Sequence, residues 1–163
     1  MSSDRLRQVE KNLNRLRIQL EGKEDTLTSI APEERARIKL QIADLKAEMQ
    51  PFEREYWEIL AEQSGSVAIA EPAPEVVVAE IIEQVGQLQT SQQYPDEVLE
   101  WLQKIYAEVT KPEPSATAKL KGALSLLPPF VNVSYEAEVE PGKLLRTHFR
   151  KLIRYAQELA KKS

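Results

Sequence analysis

Two successive apolar seams run through the first 63 residues, and this repeat limits what the chain can fold into more than any other feature. Leu6, Val9, Leu13, Leu16, Leu20, Leu27 and Ile30 follow spacings of three and four, with Lys23 at the one polar seam position. That alternation draws a narrow apolar stripe along a helix, the a and d positions of a heptad, with charged side chains around it. A second seam follows in Ile38, Ile42, Leu45, Met49, Phe52, Tyr56 and Ile59. Between the two, Thr28-Ser29-Ile30-Ala31-Pro32-Glu33-Glu34 reads as a stop and a restart. Ser and Thr cap helices, Pro suits a first helical position, and acids suit a first turn. Two heptad helices across a short connection predict an antiparallel coiled-coil hairpin with arms of roughly 40 Å. Pro51 predicts a kink or break near Met49-Gln50, because it removes a backbone donor. A hairpin buries only one stripe per arm, so further helices must cover it, from the same chain or from a second copy.

Residues 62–75, EQSGSVAIAEPAPE, combine Ser, Gly, Pro and small side chains and read as a Pro-rich linker. The expected organisation is a hairpin over 1–61, the linker over 62–75, and a compact helical domain over 76–163. In that domain Val78, Ile81, Ile82 and Val85 have helical spacing within a valine-rich run. Val98, Leu99, Leu102, Ile105, Tyr106 and Val109 form one helix face, and Leu120, Ala123, Leu124 and Leu127 another. After Pro128-Pro129, the residues Val131, Val133, Tyr135, Ala137 and Val139 alternate with Asn132, Ser134, Glu136 and Glu138. Period-two alternation predicts a half-buried strand over 130–139, and Pro141-Gly142 a turn before a last amphipathic helix over 143–162. The expected fold class is therefore mainly α: a helical hairpin plus a small α+β domain with one clear strand.

Chemistry is narrowed by what is missing. The chain has no cysteine and one histidine, His148, so thiolate nucleophiles, disulfides, cysteine-held metals and multi-histidine sites within one chain are excluded. No phosphate-binding glycine loop and no G-x-S-x-G elbow occurs. His148 within a predicted helix reads as a surface or interface side chain rather than a catalytic base. Glu136, Glu138 and Glu140 would share one strand face, which reads as a solvated face rather than a cation or acid–base site. Trp57 and Trp101 fall within helical patterns and read as packing residues. No enzyme, cofactor or resident metal is expected.

Charge is unevenly spread. Residues 64–113 hold two Lys/Arg against nine Asp/Glu, and residues 143–163 hold seven against one, within a net charge of −4. Arg146, Arg150 and Arg154 are each four apart and would stack on one face of the last helix. Such a face suits an acidic protein surface, and less well nucleic acid or an anionic membrane, because the middle of the chain is acidic. The N-terminal residues carry charge throughout, and no later stretch is long and apolar enough to span a membrane, so a cytoplasmic protein is expected.

The stretch from Leu120 to Glu140, with a Leu126-Leu127-Pro128-Pro129 turn and a Tyr135-Glu136 strand followed by a basic helix, resembles the helix–Pro-Pro–strand–helix order of small adaptor segments. These lie beside effector or signalling domains in bacterial, cyanobacterial-type multidomain proteins. The resemblance spans residues 120–160 and implies association with like domains or with a sensor. The residues alone lead to the same class: a non-enzymatic, self-associating adaptor or scaffold. Its interaction residues would be the seam side chains Leu13, Leu16, Leu20, Ile42, Leu45 and Met49, with Arg146, Arg150 and Arg154 supplying charge specificity.

Overall fold

The two seams meet as their spacing requires. The computed structural model of the chain describes residues 2–113 and 115–162. Helix α1 (Ser2–Leu27) and helix α2 (Pro32–Gln63) lie antiparallel. Arg5 near the start of α1 pairs with Glu55 near the end of α2, which pins the open end of the hairpin. Pro32 opens α2 with Glu33 and Glu34 in its first turn, where acids face the positive end of the helix dipole. α2 continues as one helix through Pro51, so of the expected kink or break near Met49-Gln50 the break does not occur. An internal proline costs a helix about 3 kcal/mol. Burial of Met49, Trp57, Ile59 and Leu60 on the flanking turns offsets that cost.

The rest of the chain is α3 (Pro74–Ser91), α4 (Asp96–Val109), α5 (Ala116–Glu136), α6 (Pro141–His148) and α7 (Arg150–Lys161). Among the described residues there are seven helices and no strand. The strand expected over 130–139 is absent, and the α+β class gives way to an all-α bundle. The physical reason lies in the neighbours. A lone strand would leave its backbone groups without partners, whereas a helix satisfies them within the segment. Helical spacing also gathers Leu120, Leu124, Leu127, Phe130 and Val131 into one fully buried stripe. Ser115 caps α5 by accepting from the Ala118 amide at 3.3 Å. Pro128 and Pro129 then lie inside the helix, where burial of that stripe outweighs two missing donors.

α5 is the hub, packing against α2, α3, α4 and α6. The main core is continuous from the hairpin into the later helices: Leu6, Trp57, Ile59 and Leu60 share it with α3 to α7. Residues 64–73 connect α2 to α3 without helix, yet Ile69 and Pro72 are buried. A second, smaller core of Val9, Leu13, Leu16, Leu20, Ile38, Ile42 and Met49 fills the outer hairpin. Tyr56 and Tyr135 pack against both cores.

The single helix expected over 143–162 is also corrected. It breaks at Phe149, whose φ of −125° and ψ of 53° leave the helical region. The break is held from outside. The Glu80 carboxylate on α3 accepts from the backbone N–H groups of Lys151 (2.9 and 3.0 Å) and Leu152 (3.2 Å), satisfying donors that a helix start leaves open.

Candidate functional site

The seam residues are spent inside the chain. Leu13, Leu16, Leu20, Ile42 and Met49 lie buried between α1 and α2, and Leu45 is half-buried beside them. Among the described residues, the large apolar side chains left outside are Ile18 and Leu40, on the hairpin arms, and Val76 and Ile82, on α3.

The three arginines do not form one face. Arg146 belongs to α6, where it reaches Glu140 at 3.8 Å. Arg150 and Arg154 lie one turn apart on α7, exposed and outside every ion pair of the described residues. Lys151 is exposed on the same helix, and the inward stripe of Leu152, Tyr155, Ala156 and Leu159 holds α7 to the core.

An acidic cleft of about 580 Å³ lies elsewhere, between α4 and the end of α5. Glu97, Glu100, Glu136 and Glu138 are exposed around the half-buried Trp101. Lys104 stacks over the Trp101 ring at 4.1 Å, so this indole already receives a cation on its face. The carboxylates come together because α5 ends where it does. Glu136 is its last residue, Glu138 sits in the left-handed region at φ 62°, and Glu140 precedes α6. The expected common strand face of Glu136, Glu138 and Glu140 is therefore replaced by a helix end and a turn. Among the described residues no group of three or more metal-ligating side chains converges.

A charged cluster that sequence reading missed sits inside the molecule. Glu53 of α2 is 1% exposed. Its Oε1 accepts from the Tyr135 hydroxyl at 2.9 Å and lies 3.8 Å from Arg17 Nη2. Its Oε2 has no partner, nor has the buried Nε of Arg17. Burial pushes the Glu53 carboxyl up to about 7, and Glu140 adds to this, against the pull of Arg17, Tyr135 and Arg146. Burial likewise raises the Tyr135 phenol, with Glu53 reinforcing it. Gly142 makes the convergence possible. A Cβ there would lie 3.0 Å from Arg146 Nη1, 3.3 Å from Arg17 Nη2 and 3.4 Å from Glu53 Oε1. The missed signal was a second stripe on α2, Met49, Glu53, Trp57 and Leu60, in which a carboxylate occupies an apolar position.

His148 is half-buried, with its Nε2 3.1 Å from the Tyr94 hydroxyl and the two rings edge to face. No described helix is long and apolar enough to cross a membrane. Comparison with known proteins returned no match to a family model, a curated protein or a solved structure.

Proposed function

We propose that this chain is a non-enzymatic cytoplasmic adaptor that self-associates head to tail. The exposed arginines of α7 in one copy would dock against the Trp101 cleft of the next. The observation that carries the reading is that Arg150 and Arg154 on α7, and Glu97 and Glu100 in the cleft, are exposed and belong to no ion pair among the described residues. Acidic and basic side chains left unpaired on one chain are complementary between copies. The exposed carboxylates Glu97, Glu100, Glu136 and Glu138 around the cleft offer acceptors that suit a guanidinium fork. With the apolar seams buried within the chain, specificity falls to the charged surfaces. Two unlike patches make a heterologous contact, which builds rings or open chains rather than an isologous dimer.

Paired charge reversals test it. Arg150→Glu with Arg154→Glu, and Glu97→Lys with Glu100→Lys, should each abolish association measured by light scattering. Mixing the two variants should restore a complex, because the reversed helix then meets a reversed cleft. Failure of the mixture to associate contradicts the reading. If the arginine variant instead keeps its mass and loses affinity for DNA, RNA or anionic vesicles, the basic helix serves those partners.

A further inference from the structure

The cluster around Glu53 opens onto a second cleft. It lies between α1, α2, α6 and α7, has a volume of about 190 Å³, and is lined by Arg17 and Arg146. Its polar rim includes Asn14, Gln157 and the carboxylate Glu10, which also faces Arg17, and its apolar wall includes Trp57 and Ile153. Two guanidinium groups thus border a small, partly apolar space. Behind them the bare Cα of Gly142 leaves room where Arg17 Nη2, Arg146 Nη1 and Glu53 Oε1 converge.

The hydrogen bonding is incomplete in a way that points to an occupant. Arg17 Nε is a buried donor without an acceptor, and Glu53 Oε2 is a buried carboxyl oxygen without a donor or acceptor. Arg17 stands 3.8 Å from Glu53 Oε1, and Arg146 stands 3.8 Å from Glu140, so neither arginine is held at close hydrogen-bond distance. We propose that this cleft binds a small carboxylic acid with an apolar body, its carboxylate clamped by Arg17 and Arg146 and its apolar part against Trp57 and Ile153. A planar guanidinium fork matches a carboxylate in two parallel hydrogen bonds, and a half-enclosed site strengthens both.

Glu53 sets when the site is open. Ionised, it competes with the ligand for Arg17. Protonated, it leaves Arg17 to the ligand. The other charged and titratable groups facing the cluster are Glu10 on α1, Tyr56 on α2, Tyr135 on α5 and Glu140 before α6. Tyr56 and Tyr135 are both pushed above the ordinary phenol range by burial, so they stay neutral at physiological pH. Glu10, raised by burial, also faces Arg17, and Glu140 shares Arg146. With the Glu53 carboxyl at about 7, affinity should fall about tenfold between pH 6 and pH 8.

Calorimetric titration of the full chain with sodium benzoate, and with benzamide as its uncharged counterpart, tests the assignment. Saturable one-to-one binding of benzoate and none of benzamide is expected. Arg146→Gln, at a half-exposed position that should fold normally, is expected to weaken benzoate about tenfold or more. Glu53→Gln keeps a neutral donor in place and should retain affinity while removing the pH dependence. Equal binding of both probes, or benzoate binding unchanged in Arg146→Gln, would overturn the proposal. So would the absence of benzoate binding at pH 6 in the folded wild-type chain.

Discussion

The outer hairpin and the helices around α5 are built from similar side chains but obey different rules. In the hairpin, each buried residue is fixed by its spacing from the last, and one aliphatic seam meets another over Leu13, Leu16, Leu20, Ile38 and Ile42. Around α5, conformation is decided by what lies across the core. Phe130 and Val131 are fully buried in a helix that passes two prolines and an alternating pattern, because a hub helix buries more than a lone strand. The contrast is between local periodicity, which acts within a few turns, and burial, which joins residues far apart in the chain.

The sharpest way to break that contrast is to cut into the hub. Phe130→Ala should cost about 3–5 kcal/mol and lower the denaturation midpoint of the whole chain in one transition. Two separate transitions in the wild-type chain would instead show that the hairpin and the later helices fold independently. Leu20→Ala should cost about 2–4 kcal/mol. Its effect on native-state hydrogen exchange should concentrate in α1 and the first half of α2, where only the smaller core is lost.

Glu53 lies where the two cores meet and provides a pH test. Its carboxyl, raised to about 7 in the fold, holds a proton that the unfolded chain releases in the ordinary carboxylate range. The folded state thus binds more protons between those values, and this part of the stability is lost as pH rises through about 7. The loss should approach about 3 kcal/mol. Glu55 works in the opposite direction, because its bond to Arg5 lowers it, so the comparison must be with Glu53→Gln. The difference between wild type and Glu53→Gln in denaturant melts from pH 5 to 8 should follow the fall. Tyr135→Phe removes the hydroxyl that donates to Glu53 and should cost about 1–3 kcal/mol, read from the same melts.

These differences set how much was legible in the sequence. The two seams and the Pro32 restart could be read directly, as could the apolar faces of α3 and α4, because each is a local pattern with its own start signal. The fate of residues 130–139 was not legible in the same way. Val131 and Tyr135, four residues apart, fit both periods, and only the packing of α2 and α4 against α5 selects the helical one. The break at Phe149 depends on Glu80, about 70 residues earlier, and no pattern near Phe149 announces it. The Glu53 cluster draws on α1, α2, α5 and α6, so its members look like ordinary surface residues until the bundle closes. The charge asymmetry, by contrast, was visible from the start, because composition survives folding.

At the small end of the scale, Arg150→Glu with Arg154→Glu should change stability by no more than about 0.5 kcal/mol, since both side chains are exposed and unpaired. That isolates their role in association. The most direct measurement is sedimentation velocity of wild-type chain over a range of concentrations at roughly 0.05 M and roughly 0.5 M salt. Charge-driven head-to-tail contact predicts a mass that grows with concentration at the lower salt and returns toward the monomer at the higher, where screening shortens the reach of exposed charges. The arginine variant should remain monomeric in both. A wild-type chain that is monomeric at every concentration at low salt, or an assembly of fixed mass that salt does not alter, would contradict the account.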